Sequence, residues 1–327
     1  MNLNNLENLK SEMKTLGFSK ELQEKMEENM KQNLPEFTLK DKIQGHKGQI
    51  DLNLYFKQSG QSENYYLNKY DISLNEGKPL EPGQQYLVIS PSDTPGKNNV
   101  FKRENVAEAI IVFKKHTGNA ELAVGKDAAH KTRLASMEEG KINFVDKDFA
   151  RTFRNPPLPQ TIWVDRGKGF TASQSVNLIE GRAVYREDML TQGGLPYRAW
   201  MKLDLDGPRD RHMNFNMNQY HDPSYGFNLK EVLDRFEIKE LDSPKEREKL
   251  EASLRNGDRP TITVEKNGEA VKLQVEAVPR YSQLNMYAAN GKPEKREQFL
   301  KTTAQVKAVA QSKGKEKNAV KAQGLGV

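Results

Sequence analysis

The stretch from residue 243 to residue 290 changes from a helical to a strand pattern, and it constrains the fold more than any other part of the chain. Ser243-Pro244-Lys245-Glu246 is typical of a capped helix N-terminus, and Gly257 is positioned to end that helix in a left-handed conformation. Residues 261–275 then alternate apolar and polar side chains on either side of Asn267-Gly268, a pair typical of a type I′ hairpin turn. A third alternating run completes the stretch, which therefore predicts a helix followed by an antiparallel meander.

The same order of helix, glycine and strands recurs upstream, which indicates an internal duplication. There, Thr171 is a candidate helix cap, and alternating runs at 183–190 and 197–206 are followed by a third run at Met213–Met217. Three positions match between the copies: Gly181 with Gly257, Gly194 with Gly268, and Asn216-Met217 with Asn285-Met286. We therefore predict an α+β fold of repeated helix–Gly–antiparallel meander units, two of which form a C-terminal domain over residues 160–291.

Residues 1–154 are predicted to form a separate N-terminal α+β region. It divides into three parts: helices within 2–33, a meander over 37–74, and a loop and helical part over 75–154. Weak periodicity within 119–147 predicts further helices there. Asn155-Pro156-Pro157-Leu158-Pro159 excludes a helix and predicts an extended spacer between the two regions.

Methionines form a stripe on the second helix. Met26 and Met30 lie four residues apart, on the same face as Leu22. A core face packed on the following sheet is the favoured interpretation, and an adaptable partner-binding surface is the alternative.

Composition narrows the class of protein. The chain is 35% hydrophobic and 29% charged, so we expect extensive surface and some disorder. It has no cysteine, which excludes disulfides and thiolate zinc sites and suits a reducing cytoplasm. The first residues do not resemble a signal peptide, and no apolar run approaches the length needed to span a bilayer. We therefore expect a soluble, cytoplasmic protein with no membrane contact.

The positive charge is concentrated at the C-terminal end. Residues 292–327 hold nine lysines and arginines against three glutamates, a net charge of +6 that equals the formal net charge of the whole chain. Few apolar residues follow Leu300, so a disordered basic tail is predicted over 292–327. The tail is either a flexible arm that contacts phosphates or only a solubilising end, and the sequence favours neither. The candidate phosphate contacts are Lys313, Lys315, Lys317 and Lys321.

Aromatic residues beside cations predict further contacts with single-stranded nucleic acid. Trp163 lies near Arg166 and Lys168, and Trp200 follows Arg198. Exposed rings stack on bases while cations contact phosphates. Apolar neighbours favour a core position for both tryptophans, and stacking is the alternative for each. The candidate nucleic-acid-binding residues outside the tail are therefore Trp163, Arg198 and Trp200.

No motif predicts catalysis or a bound cofactor. In a strand, Asp204 and Asp206 would point to one side, as magnesium-binding carboxylates must, but Leu203 and Leu205 would then place them on the solvated face. The five histidines show no zinc spacing, and no Walker loop, Rossmann glycine pattern or nucleophile elbow is present. We expect a non-enzymatic protein without cofactor or metal, and a metal-dependent enzyme using Asp204 and Asp206 stays the less favoured alternative.

Several short segments resemble one known family: Tyr66-Leu67-Asn68-Lys69-Tyr70-Asp71, Asn177-Leu178-Ile179-Glu180-Gly181-Arg182-Ala183-Val184, Gln219-Tyr220-His221, Tyr225-Gly226 and Ile238-Lys239-Glu240-Leu241. On these segments the chain resembles the domain of unknown function 3945 family, whose members occur in conjugative elements of gut Bacteroidales. Members are often encoded near genes for topoisomerases and mobilisation proteins. The resemblance implies a setting in DNA processing, and it brings no established activity or catalytic residue.

Together these observations predict an accessory protein of a mobile genetic element that contacts single-stranded nucleic acid or a DNA-processing protein. A protein–protein interaction scaffold without nucleic-acid binding is the main alternative. The two differ in whether DNA binding is present and sensitive to salt.

Overall fold

The computed structural model describes residues 2–77, 79–94, 96–266 and 268–301, and over these residues the protein is α+β. Those ranges contain seven α-helices and four antiparallel sheets. The chain divides into two compact units. The first holds the residues up to Glu180 together with Pro208–Phe215, and the second holds Gly181–Gly207 together with the described residues from Asn216 onward.

The first unit contains two sheets and five helices among its described residues. In chain order its elements are α1 (Leu3–Thr15), α2 (Lys20–Lys31), β1 (Glu36–Gln44), β2 (Gln49–Gln58), β3 (Tyr65–Asn75), β4 (Gln85–Pro91), β5 (Asn98–Arg103), α3 (Val106–Lys114), β6 (Ala120–Gly125), β7 (Lys131–Glu138), β8 (Lys141–Val145), α4 (Ala150–Arg154), β9 (Gln160–Asp165), β10 (Lys168–Gly169) and α5 (Ala172–Ile179). One sheet has the order β1-β2-β3-β9-β10 and the other β5-β4-β6-β7-β8.

The division of the chain does not follow the proline-rich segment. Residues 155–159 lie inside the first unit, because β9 directly after them pairs with β3. The first predicted helix–meander unit is also divided, since α5 belongs to the first unit and the strands after Gly181 belong to the second.

Helices α1, α2 and α5 pack on the sheet that contains β3 and bury one of its faces. Alternation along β2 places its apolar side chains on this inner face: Ile50, Leu52, Leu54 and Phe56. Met26 and Met30 of α2 are fully buried, so the core interpretation of the methionine stripe is confirmed. The polar positions of the same strands lie on the opposite face of the sheet, which we call the outer face.

A β-bulge interrupts the register between β2 and β3. Tyr55 lies opposite Lys69 and Phe56 lies opposite Leu67, so Asn68 is the extra residue on β3. A bulge shifts the alternation of side chains by one position. As a result Asn68 and Lys69, although adjacent in sequence, both lie away from the buried positions Leu67 and Tyr70.

The second sheet of the first unit replaces the helices predicted within 119–147. That region forms β6, β7 and β8, so the helical prediction is wrong. Glu139 and Gly140 both have positive φ, 48° and 75°, and join β7 to β8 as a two-residue hairpin loop. Helix α3 packs on this sheet, and Phe113 and Phe153 meet edge to face in the core between them.

The second unit contains two small antiparallel sheets. Its elements are β11 (Val184–Leu190), β12 (Pro196–Leu203), β13 (Met217–Asp222), α6 (Leu229–Leu233), α7 (Pro244–Asn256), β14 (Thr261–Lys266), β15 (Glu269–Val278), β16 (Gln283–Tyr287) and β17 (Pro293–Glu294). The sheet orders are β11-β12-β13 and β14-β15-β16-β17. The predicted third strand of the first meander begins later than expected, because Phe215 lies in the first unit and the strand starts at Met217.

The sequence correctly predicted the C-cap of α7 but not the capping of its N-terminus. Gly257 has φ 86° and its N–H donates to the carbonyl of Leu254, so the left-handed C-cap is confirmed. Ser243 occupies the N-cap position but its side chain makes no capping hydrogen bond. The capping box predicted with Glu246 is therefore absent, whereas α5 has a complete one between Thr171 and Gln174.

The predicted tail starts too early. Pro293–Glu294 forms β17 and pairs with β16, and Phe299 is buried in the core of the second unit. Residues 302–327 lie outside the described residues. No helix in the described part of the chain is both long and apolar enough to cross a membrane.

Candidate nucleic-acid interface

The outer face of the β3-containing sheet carries one line of four side chains, each from a different strand. Thr38 lies opposite Tyr55, Tyr55 opposite Lys69, and Lys69 opposite Trp163. Adjacent strands are about 4.8 Å apart, so these side chains are neighbours across the sheet. We call Thr38, Tyr55, Lys69 and Trp163 the outer row.

Lys69 holds the two rings of the outer row around its ammonium group. Its Nζ lies 5.0 Å from the ring centroid of Tyr55 and 5.7 Å from that of Trp163. Cations at such distances are attracted to the faces of aromatic rings. Trp163 is nevertheless 68% exposed, so the favoured core interpretation of this residue is wrong. Alternation explains the result, since Ile162 and Val164 point to the core and leave Trp163 outward.

A carboxylate beside the row fixes the orientation of Tyr55. Asp71 accepts hydrogen bonds from the hydroxyls of Tyr55 and Thr161, each at 2.8 Å. Burial, followed by the bond to the Asp71 carboxylate, raises the pKa of Tyr55 well above its usual range. Tyr55 therefore stays protonated and neutral, and its ring is held in one position.

The outer row borders a cleft of about 630 Å³. Phe37, Lys57, Tyr66, Asn68 and Glu36 also line it. Tyr66 is 43% exposed and adds a third ring to those of Tyr55 and Trp163. The cleft thus combines exposed aromatic faces with two lysines against one glutamate, which is the composition of a platform for unpaired bases and their phosphates.

The other two predicted residues of the body lie in the second unit. Trp200 is only 3% exposed, with ring centroids 5.2 Å from those of both Tyr185 and Phe227. Its core position is confirmed, and its ring has no open face on which a base could stack. Arg198 is exposed and lines a smaller cleft of about 530 Å³ beside Tyr197 and His221.

The aspartates considered for a metal do not share a strand. Strand β12 ends at Leu203, so Asp204 and Asp206 lie in the following turn, with Asp204 half-buried and Asp206 exposed. Within the ranges that the structure describes, no group of three or more His, Asp or Glu side chains is placed to hold a metal ion. Strand geometry, the premise of the magnesium hypothesis, is therefore missing.

Arg209, which follows the same turn, has a structural role. Its guanidinium donates to the carbonyls of Leu158, Pro159 and Met213 and lies 3.8 Å from the ring centroid of Phe215. Burial lowers the pKa of this guanidinium. Arg209 therefore holds its own loop against the segment before β9 and is not available to phosphate.

Sequence reasoning missed Tyr55, Lys57, Tyr66 and Lys69 as members of the site. A signal was present, because Tyr55 and Lys57 alternate with the buried residues of β2 and so occupy its wet face. The four lysines proposed in the tail, Lys313, Lys315, Lys317 and Lys321, lie outside the described residues.

The fold and the outer face define an α+β protein with an aromatic and cationic sheet platform. No family model, no curated protein and no solved structure matches this chain.

Proposed function

We propose that this chain is a non-enzymatic accessory protein that binds single-stranded nucleic acid on the outer face of the β3-containing sheet. The observation that carries the proposal is the outer row, in which Lys69 lies between the rings of Tyr55 and a largely exposed Trp163. Bases stack on exposed rings at about 1–3 kcal/mol per base, whereas lysines contact the backbone phosphates. Exposed rings on one cleft, Trp163 and Tyr66, also mark an interaction site in general.

The charge of the chain supports a second, sequence-independent contribution from the C-terminal residues. Residues 302–327 hold five lysines and one glutamate, a net charge of +4. Each phosphate contact on a single strand contributes roughly −0.7 to the slope of log affinity against log salt. If about three of these lysines engage phosphates, this segment contributes a slope of about −2.

The setting of the protein is part of the proposal. The segment Tyr66–Asp71, on which the resemblance to the domain of unknown function 3945 family partly depends, supplies Tyr66, Asn68 and Lys69 to the platform. A cytoplasmic accessory factor of a conjugative element would meet single strands whenever DNA is nicked and transferred. Stacking on three rings and contacts between lysines and phosphates depend little on base sequence, so such a platform fits this general role.

A duplication of the meander belongs to the same proposal. The strands β11–β13 and the strands β14–β16 each follow a glycine with φ 86°, Gly181 and Gly257, and each run contains a positive-φ glycine in its first turn, Gly194 and Gly268. These shared turn positions support a common origin.

The test is a fluorescence-anisotropy titration of a labelled single-stranded oligonucleotide at several salt concentrations. Trp163→Ala should weaken binding by about 5-fold or more, the equivalent of one lost stacking contact. Lys69→Gln should also weaken binding and make the salt slope shallower by about 0.7. Removal of residues 302–327 should make the slope shallower still, and it spares Phe299, which a cut at Lys292 would remove from the core.

Matched variants separate the platform from general surface effects. Tyr281→Ala removes another exposed ring, 62% exposed, and Lys141→Gln removes an exposed lysine of the second sheet of the first unit. Both should bind like the wild-type chain. Equal losses in Trp163→Ala and Tyr281→Ala would refute the platform, and salt-independent or absent binding would favour the protein-scaffold alternative.

A further inference from the structure

A second cleft, lined largely by asparagines, lies next to the platform in the first unit. Its volume is about 710 Å³. Six of its lining residues are asparagines from α1 and its N-cap, from β3 and from the residue before β3: Asn2, Asn4, Asn5, Asn8, Asn64 and Asn68. A side-chain amide carries both donors and an acceptor and no charge, so such a lining suits a neutral, hydrogen-bonding ligand.

Part of this lining has a structural role and part is open to a ligand. Asn2 caps α1 and donates to Asn64, and Asn5 bonds to the backbone of Tyr65. Within the described ranges, the side-chain amides of Asn4, Asn8 and Asn68 make no hydrogen bond, and all three residues are exposed. The open amides come from both sides of the cleft, two from α1 and one from the bulge of β3.

The charges of the cleft disfavour phosphate. Glu12 and Asp165 line it against a single cation, Arg166. Burial, and then the neighbouring Asp165, raise the pKa of the Glu12 carboxyl, while Arg166 opposes the rise. An anionic group would be repelled by the two carboxylates, whereas an amino group could donate to them.

The two clefts adjoin each other and share two lining residues. Tyr66 and Asn68 line both of them. The bulge places Asn68 beside Lys69, so a strand whose phosphates follow the lysines of the platform has its bases within reach of the asparagine cleft. Bulges commonly re-aim side chains beside binding sites.

We propose that the asparagine cleft receives one base of the bound strand and prefers adenine to thymine or uracil. This inference rests on the proposed function of the outer face. An asparagine amide pairs with adenine by accepting from its N6 amino group and donating to N7. Glu12 and Asp165 can accept only, so they favour an amino group and oppose the O4 carbonyl oxygen at the corresponding position of thymine.

The experiment compares two labelled strands on the full-length protein: a short thymidine strand and the same strand with one central adenine. Anisotropy titrations should show tighter binding of the adenine-containing strand by about 5-fold or more, the value of one bidentate amide–base pair. Asn8→Ala should abolish this preference, so that the two strands bind with equal affinity. Asn98→Ala, an exposed asparagine on β5, should retain the preference.

Three results would overturn the inference, and only the third would also overturn the proposed function. Equal affinity for both strands, with binding that still depends on Trp163, overturns the adenine cleft alone. An adenine preference that persists in Asn8→Ala shows that the preference arises elsewhere and also overturns it. No Trp163-dependent binding of either strand overturns the cleft together with the proposed function.

Discussion

The side chain of Asn5 bonds to both backbone groups of Tyr65. Its Oδ1 accepts from the N–H of Tyr65 at 2.8 Å, and its Nδ2 donates to the carbonyl at 3.0 Å. The amide thus acts as a short substitute strand beside β3, at a position beyond the end of its pairing with β9. It attaches α1 to the sheet beside the asparagine cleft, which both residues line.

Replacing Asn5 should therefore destabilise the protein. Asn5→Ala leaves two partly buried backbone groups without partners, which costs about 1–3 kcal/mol of the free energy of unfolding. Urea unfolding followed by circular dichroism measures the change. Asn4→Ala, one position earlier and exposed, should fall within about 0.5 kcal/mol of wild type; a similar loss in both variants would contradict the proposed role of the Asn5 amide.

Truncation of the two tryptophans should change the stability of the protein by very different amounts. Trp200→Ala empties a buried position between Tyr185 and Phe227 and should cost about 3–5 kcal/mol. Trp163→Ala removes an exposed ring and should change stability by less than about 1 kcal/mol, so that its effect on DNA binding can be interpreted. Thermal melts of the two variants are the check, and a large loss in Trp163→Ala would show that this ring has a structural role.

Substitution of Gly257 tests whether the left-handed C-cap of α7 requires glycine. With φ 86°, it occupies a region that a residue with a Cβ enters at a cost of about 1–2 kcal/mol, and Gly257→Val should lower the melting temperature accordingly. Gly60→Val is the control, because that glycine has no positive φ and open space around its Cβ position. An unchanged melt for Gly257→Val would remove this glycine from the argument for duplication.

Glu12 should make stability fall as the pH rises. Its pKa is raised in the folded state by burial and by Asp165, so the native state holds the proton to a higher pH than the unfolded state does. Below the ordinary glutamate pKa both states are protonated and nothing is lost. As the pH passes from that value through the raised folded pKa, ionisation increasingly favours the unfolded state.

Glu12→Gln removes this penalty. The variant should melt at a higher temperature than wild type at neutral pH, and the difference should vanish in acid. Melts at a series of pH values measure it, with the exposed Glu28→Gln of α2 as the control. A gain that is the same at all pH values would mean that the carboxyl charge is not its cause.

The sequence predicted the meanders but not the pairing of their strands with strands from distant parts of the chain. Alternation and turn glycines are local, so the meander predicted over 37–74 is present as β1–β3, and the alternating residues 261–275 lie in β14 and β15. The pairing of Lys69 with Trp163 joins positions far apart in the chain, and nothing local specifies it. The outer row could therefore not be assembled from the sequence, although each of its members occupies the wet side of its strand.

Two of the incorrect predictions concern features that have a physical signal in the sequence. Apolar neighbours on both sides of Trp163 favour a buried run, whereas strict alternation along β9 places this ring outward. In the region 119–147, Glu139-Gly140 adopts the positive φ values of a hairpin loop, a role that weak helical periodicity concealed. The bulge at Asn68 had no such signal, since it depends on the register with β2.

The most direct test of the platform follows the fluorescence of Trp163 itself. Trp200→Phe leaves Trp163 as the single tryptophan, because the chain contains only two, and circular dichroism can verify that the variant is folded. Titration with an unlabelled single-stranded oligonucleotide at low salt should quench this emission to saturation, and added salt should restore it, because stacked bases contact the ring while phosphates bind the lysines. Emission that stays constant while the oligonucleotide binds, or no binding at any ionic strength, would contradict the assignment of the outer face.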